Sequence, residues 1–142
     1  MTKNIKVIGL CGRSGSGKGY VSERFLQLGI PSIDTDKVYR DILSREGSEC
    51  LFELKNEFGD SIMAEGKLDR RALANIVFAK GNENKLERLN AISHKHILKE
   101  TLSMIEEYSK KGMGAVIVDA PVLFESGFDS ICDVTLCVTA PD

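Results

Sequence analysis

The sequence has no apolar run of about 18 residues and no charged-then-apolar leader, which argues against a membrane span or a secretory signal and makes a cytoplasmic protein the expectation. It has no C-x-x-C pair. Cys11, Cys50, Cys132 and Cys137 lie mostly in apolar stretches, the setting of reduced core thiols, and a disulfide framework is not expected. Cys132 and Cys137 are an odd number of residues apart, so on one strand they would point to opposite faces. His94 and His96 would stand roughly 200° apart on a helix, so no zinc site can be argued. An excess of positive charge is missing too: the formal net charge is -2, which favours neither nucleic acid nor a membrane surface. Any anionic ligand must therefore be met by local cations. No internal repeat, low-complexity tract or linker composition divides the chain. Its 142 residues, 42% of them hydrophobic, suit one domain with its own core.

One stretch carries most of the functional information. Gly12-Arg13-Ser14-Gly15-Ser16-Gly17-Lys18-Gly19 follows a short apolar run, Ile5 to Cys11, and leads into a helical pattern. A buried strand that delivers glycines into a turn lets successive backbone N–H groups curl around an anion at a helix N-terminus. A Cβ there would block left-handed backbone angles and close phosphate approach. Lys18 adds a mobile charge for the terminal phosphates of a nucleotide. The full phosphate-loop pattern is G-x-x-x-x-G-K-[ST]. Gly19 stands where its magnesium-binding hydroxyl should be, and the hydroxyls of Tyr20 and Ser22 do not occupy the matching position. The alternative is a flexible Gly/Ser turn that needs no ligand.

After the loop, Tyr20, Val21, Phe25, Leu26 and Leu28 recur at helical spacing until Gly29 and Pro31 close the helix. A second strand is expected at Ser32-Ile33-Asp34, and Thr35-Asp36 reads as the N-terminal signal of a helix from Lys37 to Ser44. A right-handed crossover between the two strands puts Asp34 and Asp36 at the rim of the phosphate site. From Ser48 to Lys111 the pattern is helical throughout, broken at Gly59, around Glu65-Gly66 and at Lys80 to Asn82. Three helices are expected: Ser48 to Phe58, a run headed by Asp69, and a long one from about Asn84 to Tyr108. Such a block suits a substrate lobe or lid, and a purely structural insertion would have the same pattern. Ala115-Val116-Ile117-Val118 is apolar without alternation, as a strand buried on both faces is. Asp119 at its C-terminal end can orient a magnesium-bound water or a substrate hydroxyl, or cap the turn before Pro121. Val134 to Val138 is a further strand, and ending at Thr139-Ala140-Pro141-Asp142 leaves the next sheet-packing helix missing.

Ile8-Gly9-Leu10-Cys11-Gly12 with the loop, Ile33-Asp34-Thr35-Asp36 with Arg40, Ser93-His94, and Asp119-Ala120-Pro121-Val122-Leu123-Phe124-Glu125-Ser126-Gly127 together resemble dephospho-CoA kinase. The resemblance spans the whole chain and corresponds to about the first two-thirds of a typical member. It implies an α/β fold, a P-loop NTPase-like parallel sheet flanked by helices, with a helical substrate-binding insertion over about residues 37–111 of a single, C-terminally incomplete kinase domain. It implies transfer of the γ-phosphoryl group of ATP, with Mg2+, to the ribose 3′-hydroxyl of dephospho-CoA. On that reading Arg13, Ser14, Gly15, Ser16, Gly17, Lys18 and Gly19 bind ATP, and Asp36 and Lys18 are catalytic. Asp36, Arg40, His94, Leu123 and Glu125 meet the acceptor, and Asp119 holds the metal, through water. Asp36 as proton acceptor and Asp36 as helix N-cap are compatible roles. The partner is a small molecule, with no nucleic acid and no membrane. The chain departs from the family at Arg13 for a glycine, Gly19 for the metal-binding hydroxyl and Lys95 for a proline, and lacks the lid arginine and adenine-contacting region. Another P-loop small-molecule kinase, or a nucleotide-binding module without turnover, is the alternative.

Overall fold

The computed structural model describes residues 5–12, 17–120 and 127–138. The chain divides into two compact units, Met1–Val38 with Leu98–Asp142, and Tyr39–Ile97. Among the described residues the first unit holds a parallel sheet of β1 (Lys6–Gly12), β2 (Ser32–Asp34), β5 (Ala115–Asp119) and β6 (Val134–Val138), in the order β2-β5-β1-β6. The apolar runs explain the order. Val7, Leu10, Val116, Ile117 and Val118 have no exposed surface, so β1 and β5 take the centre, where both faces are covered.

The register brings the site together. Leu10 and Asp34 both pair with Asp119 across their ladders, so the C-terminal ends of β1, β2 and β5 finish at the same end of the sheet, where ligands of open α/β sheets bind. β5 lies between β1 and β2, the strands that α1 (Lys18–Gln27) connects. β6 is pegged in register by Asp133: Val7 N–H donates to its carboxylate at 2.7 Å, and Asp133 N–H donates back to the Val7 carbonyl at 2.8 Å.

α1 ends as the sequence predicts. Gly29 takes φ 84°, and the N–H groups of Gly29 and Ile30 return to the carbonyls of Leu26 and Phe25, the paired bonds of a Schellman motif. Its expected apolar stripe needs correction: Tyr20 is 68% and Leu26 61% exposed, and no residue of α1 is fully buried. The half-buried positions are Lys18, Val21, Ser22 and Phe25, a true i, i+3, i+4, i+7 face, which Tyr20 and Leu26 do not share.

The expectation of four reduced thiols is also corrected. Cys11 and Cys137 are register partners on β1 and β6, with Cα atoms 4.6 Å apart, and form a disulfide. Considering Cys137 only against Cys132 missed this, because the partner lies on another strand. Cys50 and Cys132 remain outside the disulfide.

The second unit is mainly helical. α2 (Thr35–Ser44) and α5 (Glu83–Lys110) contribute residues to both units. α3 (Glu49–Phe58) starts at Ser48, whose hydroxyl accepts from Leu51 N–H at 3.1 Å, and α4 (Arg70–Val77) at Asp69, whose carboxylate accepts from Ala72 N–H at 3.1 Å. These are side-chain N-caps of the expected kind. Between them the helical reading fails: β3 (Met63–Ala64) and β4 (Lys67–Leu68) form an antiparallel hairpin. Its central residues, Glu65 at φ 52° and Gly66 at φ 77°, have the positive angles that match strand twist in a two-residue turn. Ile42, Leu43, Cys50, Leu54, Ile62, Leu73, Val77 and Ile97 are the buried apolar residues of this unit. Among the described residues no helix is long and apolar enough to cross a membrane.

Candidate functional site

The phosphate side is built from β1 and the start of α1. Gly17 occupies the N-cap position at φ 98°, ψ 8°, and its carbonyl accepts the first helical bond from Val21 N–H at 3.1 Å. Among the described residues, an added Cβ at Gly17 would meet only Val138 Cγ1, at 4.0 Å. The left-handed angle, rather than crowding, is what calls for glycine. No acidic residue stands in the first turn and the cap residue has no side chain, the setting in which the N–H groups of a helix start can meet an anion. A Cβ at Gly19 would have no neighbour within 4 Å among the described residues. Arg13, Ser14, Gly15 and Ser16, which the resemblance assigns to ATP, lie outside the described residues.

Lys18 does not point freely into solvent. Its ammonium is 2.6 Å from Asp119 Oδ1, and the two side chains are only 15% and 17% exposed. Asp119 Oδ1 is closed to water and accepts no oriented hydrogen bond; the Lys18 ammonium is its counter-charge. Two residues that the sequence places 101 positions apart thus form one electrostatic unit, because β5 lies beside β1. A lysine held in this way can be transferred to an incoming phosphate, which then leaves the carboxylate available for other work.

On the β2 side the capping assignment changes. Asp34 Oδ1 accepts from the N–H groups of Asp36 at 3.0 Å and Lys37 at 3.3 Å, so Asp34 is the N-cap of α2, and the helix begins at Thr35 instead of Lys37. The Asp36 carboxylate is exposed and makes no hydrogen bond or ion pair among the described residues. It is therefore not committed to capping. Thr35, read in the sequence only as part of a helix-start signal, is buried and donates its hydroxyl to the Asp119 carbonyl at 3.0 Å. That bond ties the end of β2 to the end of β5, just where Asp36 and Asp119 project.

Arg40 and His94 belong to the second unit. Arg40 lines a cavity of about 1050 Å³ whose wall carries Arg40, Arg45, Lys55, Lys67 and Arg70 against three glutamates, with Leu43, Phe52 and Met63 among its apolar surfaces. A mixed apolar and cationic wall suits a ligand with an apolar arm and anionic groups. His94 is half-buried, and burial holds its pKa below the usual histidine value. Its neighbour Ser93 donates to the Tyr39 hydroxyl at 2.9 Å, and burial raises the Tyr39 phenol above its ordinary value. Lys95 and His96 both reach Glu53, at 2.8 Å each. Lys95 first and His96 second hold the Glu53 carboxyl below the usual range. This joint between α3 and α5 had no signal in the sequence. Leu123 and Glu125, which the resemblance assigns to the acceptor, lie outside the described residues.

A family model described as dephospho-CoA kinase matches residues 6–142. A dephospho-CoA kinase of Carboxydothermus hydrogenoformans is 38% identical over 97% of this chain and 66% of its own length. One from Bacillus cereus is 41% identical over 93% of this chain and 65% of its own. Among solved structures, a Thermus thermophilus protein has a TM-score of 0.74 at 36% identity, covering 98% of this chain and 68% of that one. The dephospho-CoA kinase of Campylobacter jejuni, with a TM-score of 0.64 at 24% identity over 93% of this chain and 65% of that one, shares the fold. The chain spans about two thirds of the length of the curated relatives it matches.

Proposed function

This chain belongs to the dephospho-CoA kinase family, and from that premise we propose that it serves transfer of the ATP γ-phosphoryl group to the ribose 3′-hydroxyl of dephospho-CoA, giving coenzyme A and ADP. The single observation that supports this most is the Lys18–Asp119 pair at 2.6 Å, beside an α1 start with no side-chain cap. Residues 13–19 cradle the nucleotide phosphates, and Lys18 moves from Asp119 to the terminal ones. Asp36 accepts the proton of the 3′-hydroxyl as its oxygen bonds to phosphorus and the bond to the ADP oxygen breaks. Arg40 and His94, with Leu123 and Glu125, meet the acceptor. The cavity bordered by Arg40 supports this by its mixture of cations and apolar surface. We place the reaction in the cytoplasm, with small-molecule partners and neither nucleic acid nor membrane, in a single kinase domain whose helical part, about 37–111, serves the acceptor.

Asp119, once Lys18 has left it, is the carboxylate that would hold Mg2+, through water, since Gly19 has no hydroxyl to add. When bound, the ion neutralises charge on the phosphates. One carboxylate with the nucleotide's own oxygens is a sufficient donor set for an ion that keeps most of its waters.

The test is coenzyme A formation from ATP and dephospho-CoA, followed by mass, beside ATP binding on the same preparation. Turnover that disappears in Asp36→Asn while ATP binding persists supports the reading. Gly19 favours a second one, a nucleotide-binding module without turnover. ATP binding with no coenzyme A formed would select it, and absence of ATP binding would reject both.

A further inference from the structure

The disulfide partners lie at the foot of the phosphate loop. Cys11 is the penultimate residue of β1, directly before Gly12, and Cys137 is its register partner on β6. Directly paired residues of parallel strands project to the same face of the sheet. Their Cα separation of 4.6 Å lies within the disulfide range and close to the ordinary spacing of neighbouring strands, so the sheet can hold the bond without being rearranged. The dithiol is also provided for, because the Leu136 carbonyl stands 3.7 Å from Cys11 Sγ as an acceptor for its S–H.

The two cysteines differ in access. Cys137 is exposed, whereas Cys11 is 6% exposed. The other two differ from both. Cys50 is fully enclosed and burial pushes its thiol up to about 11, which removes the reactive thiolate. Cys132 donates its S–H to the Phe128 carbonyl at 3.4 Å. Next to Cys137, Val138 stands against Gly17, 4.0 Å from where a Cβ would be. A bond between Cys11 and Cys137 therefore restrains β6 beside the glycine that opens α1.

We propose that Cys11 and Cys137 form a reversible thiol–disulfide site for small-molecule disulfides of the glutathione class, with Cys137 as the entry thiol and Cys11 as the resolving one, whose state sets the restraint at the base of the phosphate loop. The Cys137 thiolate attacks one sulfur of the small disulfide, forming a mixed disulfide and releasing a thiolate. Cys11 then attacks the Cys137 sulfur and releases the second thiolate. In sum, two protein thiols lose two electrons and two protons to the small disulfide, which becomes two thiols. A small thiol in excess runs the sequence backwards.

The chain is equilibrated across glutathione redox ratios, quenched with acid, alkylated after unfolding in denaturant and mapped by peptide mass. Cys11 and Cys137 are expected to lose two hydrogens together over a finite span of ratios, while Cys50 and Cys132 are alkylated throughout. Cys11→Ser should trap glutathione on Cys137, and Cys137→Ser should leave Cys11 without it. In wild-type chain sampled at early times, the transient mixed disulfide should be found on Cys137, which tests the order of attack without any variant. Amide exchange from Gly17 to Val21 should be slower in the oxidised chain. A pair that stays dithiol at the most oxidising ratio, a bond that survives the most reducing one, or glutathione arriving first on Cys11 overturns the proposal. Equal loop exchange in both states overturns its link to the loop.

Discussion

The helix that opens the phosphate site and the helices of the second unit begin in opposite ways. α3 and α4 are closed by Ser48 and Asp69, whose side chains accept from their own first turns. α1 begins at a left-handed glycine with no side chain and no acidic residue in its first turn. A free helix end leaves N–H groups unsatisfied and is therefore a local cost. Where stability alone matters the chain closes that end, and it leaves open the one at which we propose that an anion binds. α2 shows both choices within three residues: Asp34 closes the helix, and Asp36 is left over.

The sharpest test of that division is within α2. Asp36→Asn should lower coenzyme A formation by about 10²- to 10⁴-fold, the usual worth of a positioned general base, with melting temperature and ATP affinity almost unchanged. Asp34→Ala should act the other way, lowering stability by about 1 kcal/mol. If Asp36→Asn behaves like a lost cap in thermal unfolding, the contrast is wrong. At the open helix, Lys18→Ala should weaken ATP binding by about 10- to 100-fold, the value of a charged hydrogen bond of about 1.5–3 kcal/mol, as read by calorimetry.

The second unit should respond to pH through a group that is not at the site. Cys50 has its folded pKa raised to about 11 by burial, so the stabilisation of its neutral form is complete below the ordinary thiol range and lost as pH rises from there towards 11. The loss is about 3 kcal/mol at most, and burial of Tyr39 adds to it in the same direction. Melting temperature should fall across that window in wild type and fall less in Cys50→Ala; parallel slopes would exclude Cys50. A smaller effect is expected from Ser48→Ala or Asp69→Ala, each costing about 1 kcal/mol in thermal unfolding and leaving ATP affinity as it was. Smallest is Gly19→Ser. With open space at the Cβ position and a normal backbone angle, it should stabilise the chain by about 0.5 kcal/mol through helix propensity and tighten ATP binding only when magnesium is present. A gain that is equal without metal would show that the serine acts on the backbone alone.

What the sequence could show depended on the range of the interaction. Ser48 and Asp69 were legible as caps because donor and acceptor lie three residues apart, and β5 because Val116-Ile117-Val118 is apolar without alternation. The hairpin at Met63–Leu68 was not, since strands of two residues are too short for any period to register. Asp34 and Asp36 are equivalent as letters, and only the point where β2 ends decides which becomes the cap. Lys18 and Asp119 were each identifiable, but their pairing depends on β5 lying next to β1. The Cys11–Cys137 bond is hidden for the same reason, at a separation of 126 residues.

The place of β1 between β5 and β6 also sets a timetable for biosynthesis. β1 is synthesised long before the strands it pairs with: Val7 and its peg Asp133 are 126 residues apart. At a synthesis rate of about 5–20 residues per second, that distance is roughly 6–25 s. Until β5 is made, the helices of the second unit, whose contacts are local, can form, while Val7 and Leu10 still lack the ladder to Val116 and Asp119. The N-terminal strand, made first and paired late, is thus the part of the described sheet most open to mispairing in the nascent chain.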